Sequence, residues 1–243
     1  MASSINASVT STGIVQTADA SGILQLQSDG TTGLSVNSGG KVVYANTALS
    51  TASAGTLEYD GKVPYFTPSG TQRGVIPGMQ YYRLDSGLVG TATSSAQSLF
   101  GVGCTVSANT VYKFEMLLTF TKTATATAHT ISLGFAGTAT FNNILYMSNG
   151  LNINSALPVV DTTLADAAVN AATATVITEL YGAATQTQAM VITGTFSIGT
   201  GGTVIPQYTT SSSVGPYTLN AGSFVSIYPI GTAGSNTSVG TWA

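Results

Sequence analysis

Apolar residues fall on alternate positions over much of this chain, which is the period of a pleated strand with one face turned to a core. The clearest case is residues 111–121. Tyr112, Phe114, Met116, Leu118 and Phe120 share one face; Lys113, Glu115, Leu117, Thr119 and Thr121 share the other. Ile131, Leu133 and Phe135 repeat the pattern after the polar stretch 123–128. Further strands are predicted over 98–106, 140–147, 174–180, 189–198, 203–209 and 222–230. With 111–121 and 130–136 this makes about eight strands separated by turn signals, as in a sandwich or jelly roll. Their Thr, Val, Ile and Tyr content suits a pleated, half-buried surface. Only 163–172 (TLADAAVNAA) has a helix-like composition, with Thr163 and Asp166 as a cap-like pair. A helix of one or two turns and an irregular loop fit that segment equally.

The first fifty residues read as shorter strands at 13–18, 22–28, 33–38 and 41–46. Their breaks are turn residues, among them Asp29-Gly30 and Gly39-Gly40. Leu24 and Leu26 point to one face, Gln25 and Gln27 to the other. These strands have too few large side chains to form a core alone, but three copies packed around a three-fold axis could do so with one apolar stripe each. Between 52 and 78 the texture changes, with Pro64, Pro68 and Pro77 restricting φ and removing ladder donors. A small hairpin is predicted there, 56–59 and 62–67 around an Asp60-Gly61 turn. The domains expected are an N-terminal β arm (1–53), a connector (54–80) and a head (81–243). The fold class is all-β: an extended N-terminal arm followed by a jelly-roll-like antiparallel β-sandwich, expected to be trimeric.

Composition sharpens this picture. Charged residues make up 6% of the 243, against roughly 25% in ordinary soluble domains. The chain is 43% hydrophobic and its mean hydropathy is +0.31. Such a surface is expected to be covered, by copies of the chain or by a larger assembly. No stretch approaches the roughly 18 unbroken apolar residues of a spanning helix. An outer-membrane barrel is the minor alternative, disfavoured because the aromatics form no paired girdles, and no membrane insertion is expected. The start MASSIN has neither a basic end nor an apolar core, so synthesis in a host cytoplasm without export is expected. The formal net charge is -3 and the six basic residues are scattered, leaving no footprint for nucleic acid. Several charges gather from Glu58 to Asp85, in a connector expected to be irregular and wet.

Candidate chemistry is sparse. His129 is the only histidine and Cys104 the only cysteine, so neither a clustered zinc set nor an HExxH motif exists. His129 reads as a solvated turn residue. Cys104, in an alternating run with no basic neighbour, reads as a buried small hydrophobe. Asp85, Glu115, Asp161, Asp166 and Glu179 could in principle pair for glycoside hydrolysis, a reading of low prior. The glycine-rich stretches 101–103 and 199–202 precede no helix and resemble no phosphate loop. No catalytic residue, cofactor or metal is assigned. The aromatic pairs Tyr65-Phe66 and Tyr81-Tyr82, the latter beside Arg83, read preferentially as plugs of the neck between arm and head, and alternatively as a sugar-binding face. With Leu24 and Leu26 they are the expected trimer or virion contacts.

The opening ASSINASVTSTGIVQTADASGILQLQSDGTTGLSVNSGGKVV and the connector GTLEYDGKVPYFTPSGTQRGVIPGMQYYRL resemble tail-fibre-like and other virion structural proteins of tailed bacteriophages. The segment AQSLFGVGCTVSANTVYKFEMLLTFTKTATATAHTISLGFAGTATFNNILY and the ending AGSFVSIYPIGTAGSNTSVGTWA resemble C-terminal domains of structural proteins of marine and cyanobacterial phages. The resemblance implies a homotrimer on the virion exterior, an intertwined arm bearing a jelly-roll-like head, contacting the major capsid protein or tail proteins. It carries over no catalytic residue. An arm of about fifty residues is short for a long fibre, which favours a head-decoration (cement) protein, a head fibre or a short tail fibre. An adhesin recognising a host cell-surface glycan is the alternative, with 124–129, 149–161 and 209–216 as its loops. A glycan-cleaving spike ranks third.

Overall fold

The structure, a computed structural model, describes residues 21, 23–28, 31–152, 159–160, 165–169, 174–178, 180, 182–240 and 242. Strands and no helix occur among them. In chain order the first are β1 Leu24–Ser28, β2 Thr31–Val36, β3 Val42–Tyr44, β4 Leu57–Tyr59, β5 Pro64–Phe66, β6 Gly74–Val75, β7 Gln80–Arg83 and β8 Leu88–Val89. Then come β9 Gln97–Ser98, β10 Cys104–Val106, β11 Thr110–Lys122, β12 Ile131–Ala136, β13 Phe141–Asn152 and β14 Val159–Val160. The last are β15 Ala165–Val169, β16 Thr175–Val176, β17 Gln186–Ile198, β18 Gly202–Thr210, β19 Thr218–Leu219 and β20 Phe224–Thr232.

Two antiparallel sheets face each other in a sandwich. The larger is built on β13, β17 and β11, extended by β20 and β7 at one end and by β19 and β8; β14 and β15 pair along the outside of β13. The smaller runs β10-β18-β12-β16, with β9 also on β18. Alternation decides which side chains lie between them. Phe114, Met116, Leu118 and Phe120 of β11 are each at most 1% exposed, as are Ile131 and Leu133 of β12 and Ile192 and Phe196 of β17. Edge-to-face rings tie the layers together, Phe114 on Phe135 at 5.7 Å and Phe120 on Tyr208 at 5.5 Å. Gly194 lies between Phe114 and Tyr146 in register. A Cβ there would sit 2.4 Å from the Leu145 carbonyl oxygen and 2.6 Å from Tyr146 Cβ, so only glycine fits.

Outside the sandwich lie two small sheets, β1-β2-β3 and β4-β5-β6. The predicted hairpin forms β4 and β5, with Asp60 Oδ1 accepting from the Lys62 and Val63 amides at 2.8 and 2.9 Å. Gly61 turns at φ 83°, and a Cβ there would strike the Asn46 side chain at 2.6 Å.

Several expectations need correction. Residues 165–169 are strand, not helix or loop: they pair antiparallel with β13 from Ser148 to Ile144, and the free edge of a long strand overrides alanine's helix preference. The predicted strand 98–106 is two short ones, β9 and β10, with Gly101 at φ 70° between them. Among the described residues of 174–180 only Thr175–Val176 is strand, because β12 offers it partners just at Ser132 and Leu133. Residues 13–18 lie outside the described residues. Of the charges between Glu58 and Asp85, Arg83 and Asp85 are exposed as expected, but Glu58, Lys62 and Arg73 are not wet. The Glu58 carboxylate accepts from the Ser50 amide (2.9 Å) and hydroxyl (2.7 Å) and pairs with Arg73 at 2.6 Å. Lys62 Nζ donates to the Ala108 carbonyl of the head at 2.7 Å, and Val63 and Thr67 are fully buried. A segment with few apolar side chains closes its backbone by side-chain hydrogen bonds instead.

Candidate assembly interface

Register places six of the seven large apolar residues of the first sheet on one side; Val43, opposite Ser35, lies on the other. Leu24 faces Val36, which faces Val42; Leu26 faces Leu34, which faces Tyr44. Directly opposed residues share a face, so six apolar side chains form one surface. It is open: Leu24 is 39% exposed, Leu26 53%, Val42 58% and Tyr44 45%. On the reverse face the Gln27 side-chain amide donates to Gln25 Oε1 (2.9 Å) and Thr32 Oγ1 (3.1 Å). The expected contacts Leu24 and Leu26 thus stand beside four further residues that alternation alone left unpaired, because only strand register brings them together.

The aromatic pairs are divided by their strands. On β5, Tyr65 turns inward, 5% exposed, its hydroxyl donating to Asp60 Oδ2 at 3.0 Å, and Phe66 turns outward. Burial first, then the Asp60 bond and charge, push the Tyr65 phenol well above its ordinary pKa. On β7 both rings remain exposed. Tyr81 stacks on Phe224 at 5.3 Å on the outer face, and Tyr82 meets Phe100 edge-on at 6.0 Å on the inner side. Beside Tyr82 is an apolar cleft of about 250 Å³ at the rim of the sandwich, where β7 of one sheet approaches β10 of the other. Gln80 bridges it: its amide donates to the Thr105 carbonyl at 3.2 Å and its oxygen accepts from the Cys104 thiol at 3.2 Å. Burial pushes the Cys104 thiol up, away from the thiolate form.

His129 is 1% exposed, not a solvated turn residue. Its Nδ1–H donates to the Thr127 carbonyl at 2.7 Å, and its Nε2 lies 2.6 Å from the Tyr217 hydroxyl, which donates to Gln186 Oε1 at 2.5 Å. A polar residue two places before β12 is drawn inward because Tyr217 and Gln186 supply partners there. Lys122, which drew no notice in the sequence, is also 1% exposed. Its Nζ donates to the Ala124, Thr125 and Ala183 carbonyls at 3.1, 2.7 and 3.0 Å, and burial lowers its pKa. Its inward place on β11 follows from the alternation that buries Phe120. These groups hold loops together and are closed to a substrate.

Among the described residues the strand register brings no two of the candidate carboxylates together as a hydrolytic pair. Asp85 pairs with Arg83. Glu115 and Asp166 share a row, but Thr193 and Met147 stand between them. Three strand spacings make about 14 Å, against the 5–9.5 Å that glycoside hydrolysis needs. Asp161 and Glu179 lie outside the described residues. Among the described residues no His, Cys, Asp and Glu cluster could hold a metal, and no helix is long and apolar enough to cross a membrane.

No family model matches this sequence, and no characterised relative was found for it. Solved structures of infectious bursal disease virus are similar to it. The Gx strain structure is 12% identical with a TM-score of 0.17, covering 82% of this chain and 50% of that one. The Gt strain structure is 11% identical with a TM-score of 0.19, covering 86% and 54%. A mutant VP2 protein from derived T=1 particles is 11% identical with a TM-score of 0.17, covering 85% and 52%. The chain spans about half the length of these virus-particle proteins. A likeness this slight carries no assignment, and the all-β sandwich stands on the chain's own strands and register.

Proposed function

We propose that this chain is a non-enzymatic virion structural protein of a tailed bacteriophage, a homotrimeric exterior appendage acting as a capsid decoration (cement) protein, head fibre or short fibre. The observation that carries the reading is the six-residue apolar face of the β1-β2-β3 sheet, left open by the chain itself. A small sheet draws its stability from a hydrophobic face that is packed, and this face is uncovered. Each Leu or Val that becomes fully covered contributes about 1.5–3 kcal/mol. Packing three such faces about an axis covers them without placing a charge inside, since Lys41 is the only charged residue from β2 through β3. The head would then project outward or clamp neighbouring shell subunits, and added contact area over many copies would resist shell opening.

Light scattering tests the carrying step. The full chain should weigh three times 24.5 kDa. Leu26→Ser with Val42→Ser should fall to the mass of a single chain while the head keeps its β-sheet circular dichroism. A monomeric parent, or a variant with unchanged mass, would refute the trimer. Imaging labelled protein on particles tests the location.

A second reading, an adhesin for a host glycan, draws on the exposed rings of Tyr81 and Tyr82 beside the cleft. It expects saturable binding to host cells that Tyr82→Ala abolishes. Absence of binding by the parent would dismiss it.

A further inference from the structure

The outer face of the larger sheet is the second unusual surface of this molecule. Position by position it opposes the buried face of β11, β17 and β13, so water should select polar residues there. It does so only in part. Leu145 and Met147 on β13, Val191 on β17 and Leu117 on β11 are 55%, 47%, 45% and 36% exposed. Phe224 on β20 and Tyr81 on β7, stacked on each other, continue the band. Leu117, Val191 and Phe224 are direct cross-strand neighbours, so one apolar row runs over β17, β11 and β20, ending at Asn149 on β13 and Arg83 on β7; Met147 lies diagonally beside Val191. A contiguous apolar band of this kind marks a contact surface.

Two charges identify the partner. Lys113 and Glu115 are the only charged residues at outward positions of β11, β17 and β13. Both are exposed, and neither belongs to an ion pair among the described residues, whose salt bridges are Glu58–Arg73 and Arg83–Asp85. They occupy adjacent rows of one face. Lys113 stands in the row of Thr195 and Leu145; Glu115 stands in the row of Thr193 and Met147. Turn a second copy over and lay it face to face with its strands antiparallel. The Lys113 row of each copy then falls on the Glu115 row of the other, and Leu145 falls on Met147. Between these rows lies a hollow of about 290 Å³, lined by Lys113, Leu145, Met147 and Gly194 among others, which takes an apolar side chain from the opposing copy. Reversed about this axis, the Lys113 and Glu115 rows are complementary in charge, and the Leu117–Val191 row falls on Val111 and Ser197 of the other copy.

We infer that the outer face of the β13-β17-β11 sheet is a two-fold contact between heads of this same chain. The inference rests on the reading of the chain as a self-assembling structural protein: arms make the basic unit, and head faces join one unit to the next. The size of the surface sets its strength. Five strands at about 4.8 Å and the four rows from 111 to 117 at about 6.8 Å give about 650 Å² per copy, below the roughly 800 Å² of a standard stable interface. The contact is therefore weak in dilute solution and forms where copies are held close, as on a shell.

Light scattering of the full chain across a wide concentration range tests it. The mass should double with concentration, from the unit that the arms make to twice that unit, and added salt should oppose the doubling. Lys113→Glu and Glu115→Lys, both exposed substitutions that leave the circular dichroism unchanged, should each shift the doubling to at least tenfold higher concentration. The double variant K113E/E115K should restore it. A mass that never doubles overturns the inference, as do single reversals without effect or a double variant as weak as the singles. The two readings fail separately. A constant mass of three chains removes the head contact and keeps the arm trimer. A step from one chain to two removes the arm trimer and keeps the head contact.

Discussion

At the residue scale, burial follows the strand period even for residues whose chemistry resists it. Lys122 is the inward residue that ends β11, and burial disfavours its cation. Three carbonyl oxygens compensate. Two of them belong to the loop that follows β11 and one to the residues before β17, so the ammonium pins both. Lys122→Met keeps most of the stem and leaves those carbonyls to find water at the surface. The expected loss is about 2 kcal/mol of unfolding free energy, measured by urea denaturation. Lys41→Met, on an exposed residue, should stay within about 0.5 kcal/mol. Equal effects of the two substitutions would remove the pinning role.

At the element scale, the connector behaves as a small folded unit stitched by charge. Burial alone would raise the Glu58 carboxyl, but hydrogen bonds from Ser50, with the bond and charge of Arg73, outweigh it and hold the carboxyl below its ordinary value. The unfolded chain therefore takes up this proton first as pH falls. The stabilisation is present in full above the ordinary carboxylate value of 4.5 and is lost progressively below it. Loss of amide protection in 47–76 ahead of the head is expected on lowering the pH through that range, read by hydrogen exchange. Glu58→Gln should flatten this pH dependence. Head and connector opening together would argue against a separate unit. The same scale explains β15: residues 165–169 become strand because β13 is long enough to offer a free edge, a fact absent from their own composition.

At the scale of the whole molecule, the head contains a continuous core between its two sheets, while the first sheet has no core of its own. A chain lacking residues 1–53 is accordingly expected to keep the head's single cooperative thermal transition, because its core lies within 84–227. It should also lose the arm-dependent assembly and no longer bind particles. Failure of the truncated head to fold would show that the arm belongs to the head's core. Scarcity of charge, a statement about the entire sequence, acquires an address here. It lies on the open face of β1-β2-β3 and on the outer face of the larger sheet.

Much of this was legible beforehand. A period of two over 111–121, 131–135 and 189–198 determined strands with one buried face, because a pleated backbone sends successive side chains to opposite sides. Turn chemistry at Asp60-Gly61 determined the hairpin, because few residues other than glycine accept that φ. The small charged fraction raised the expectation that some surface is covered. Tertiary structure alone showed which apolar faces the chain leaves open. Leu34, Val36, Val42 and Tyr44 join Leu24 and Leu26 only through register between strands. His129 and Lys122 are buried only because groups distant in sequence, Tyr217 and Ala183, complete their hydrogen bonds. Alternation is local and can be read along a chain, whereas register and hydrogen-bond closure depend on segments that meet only when the chain has folded.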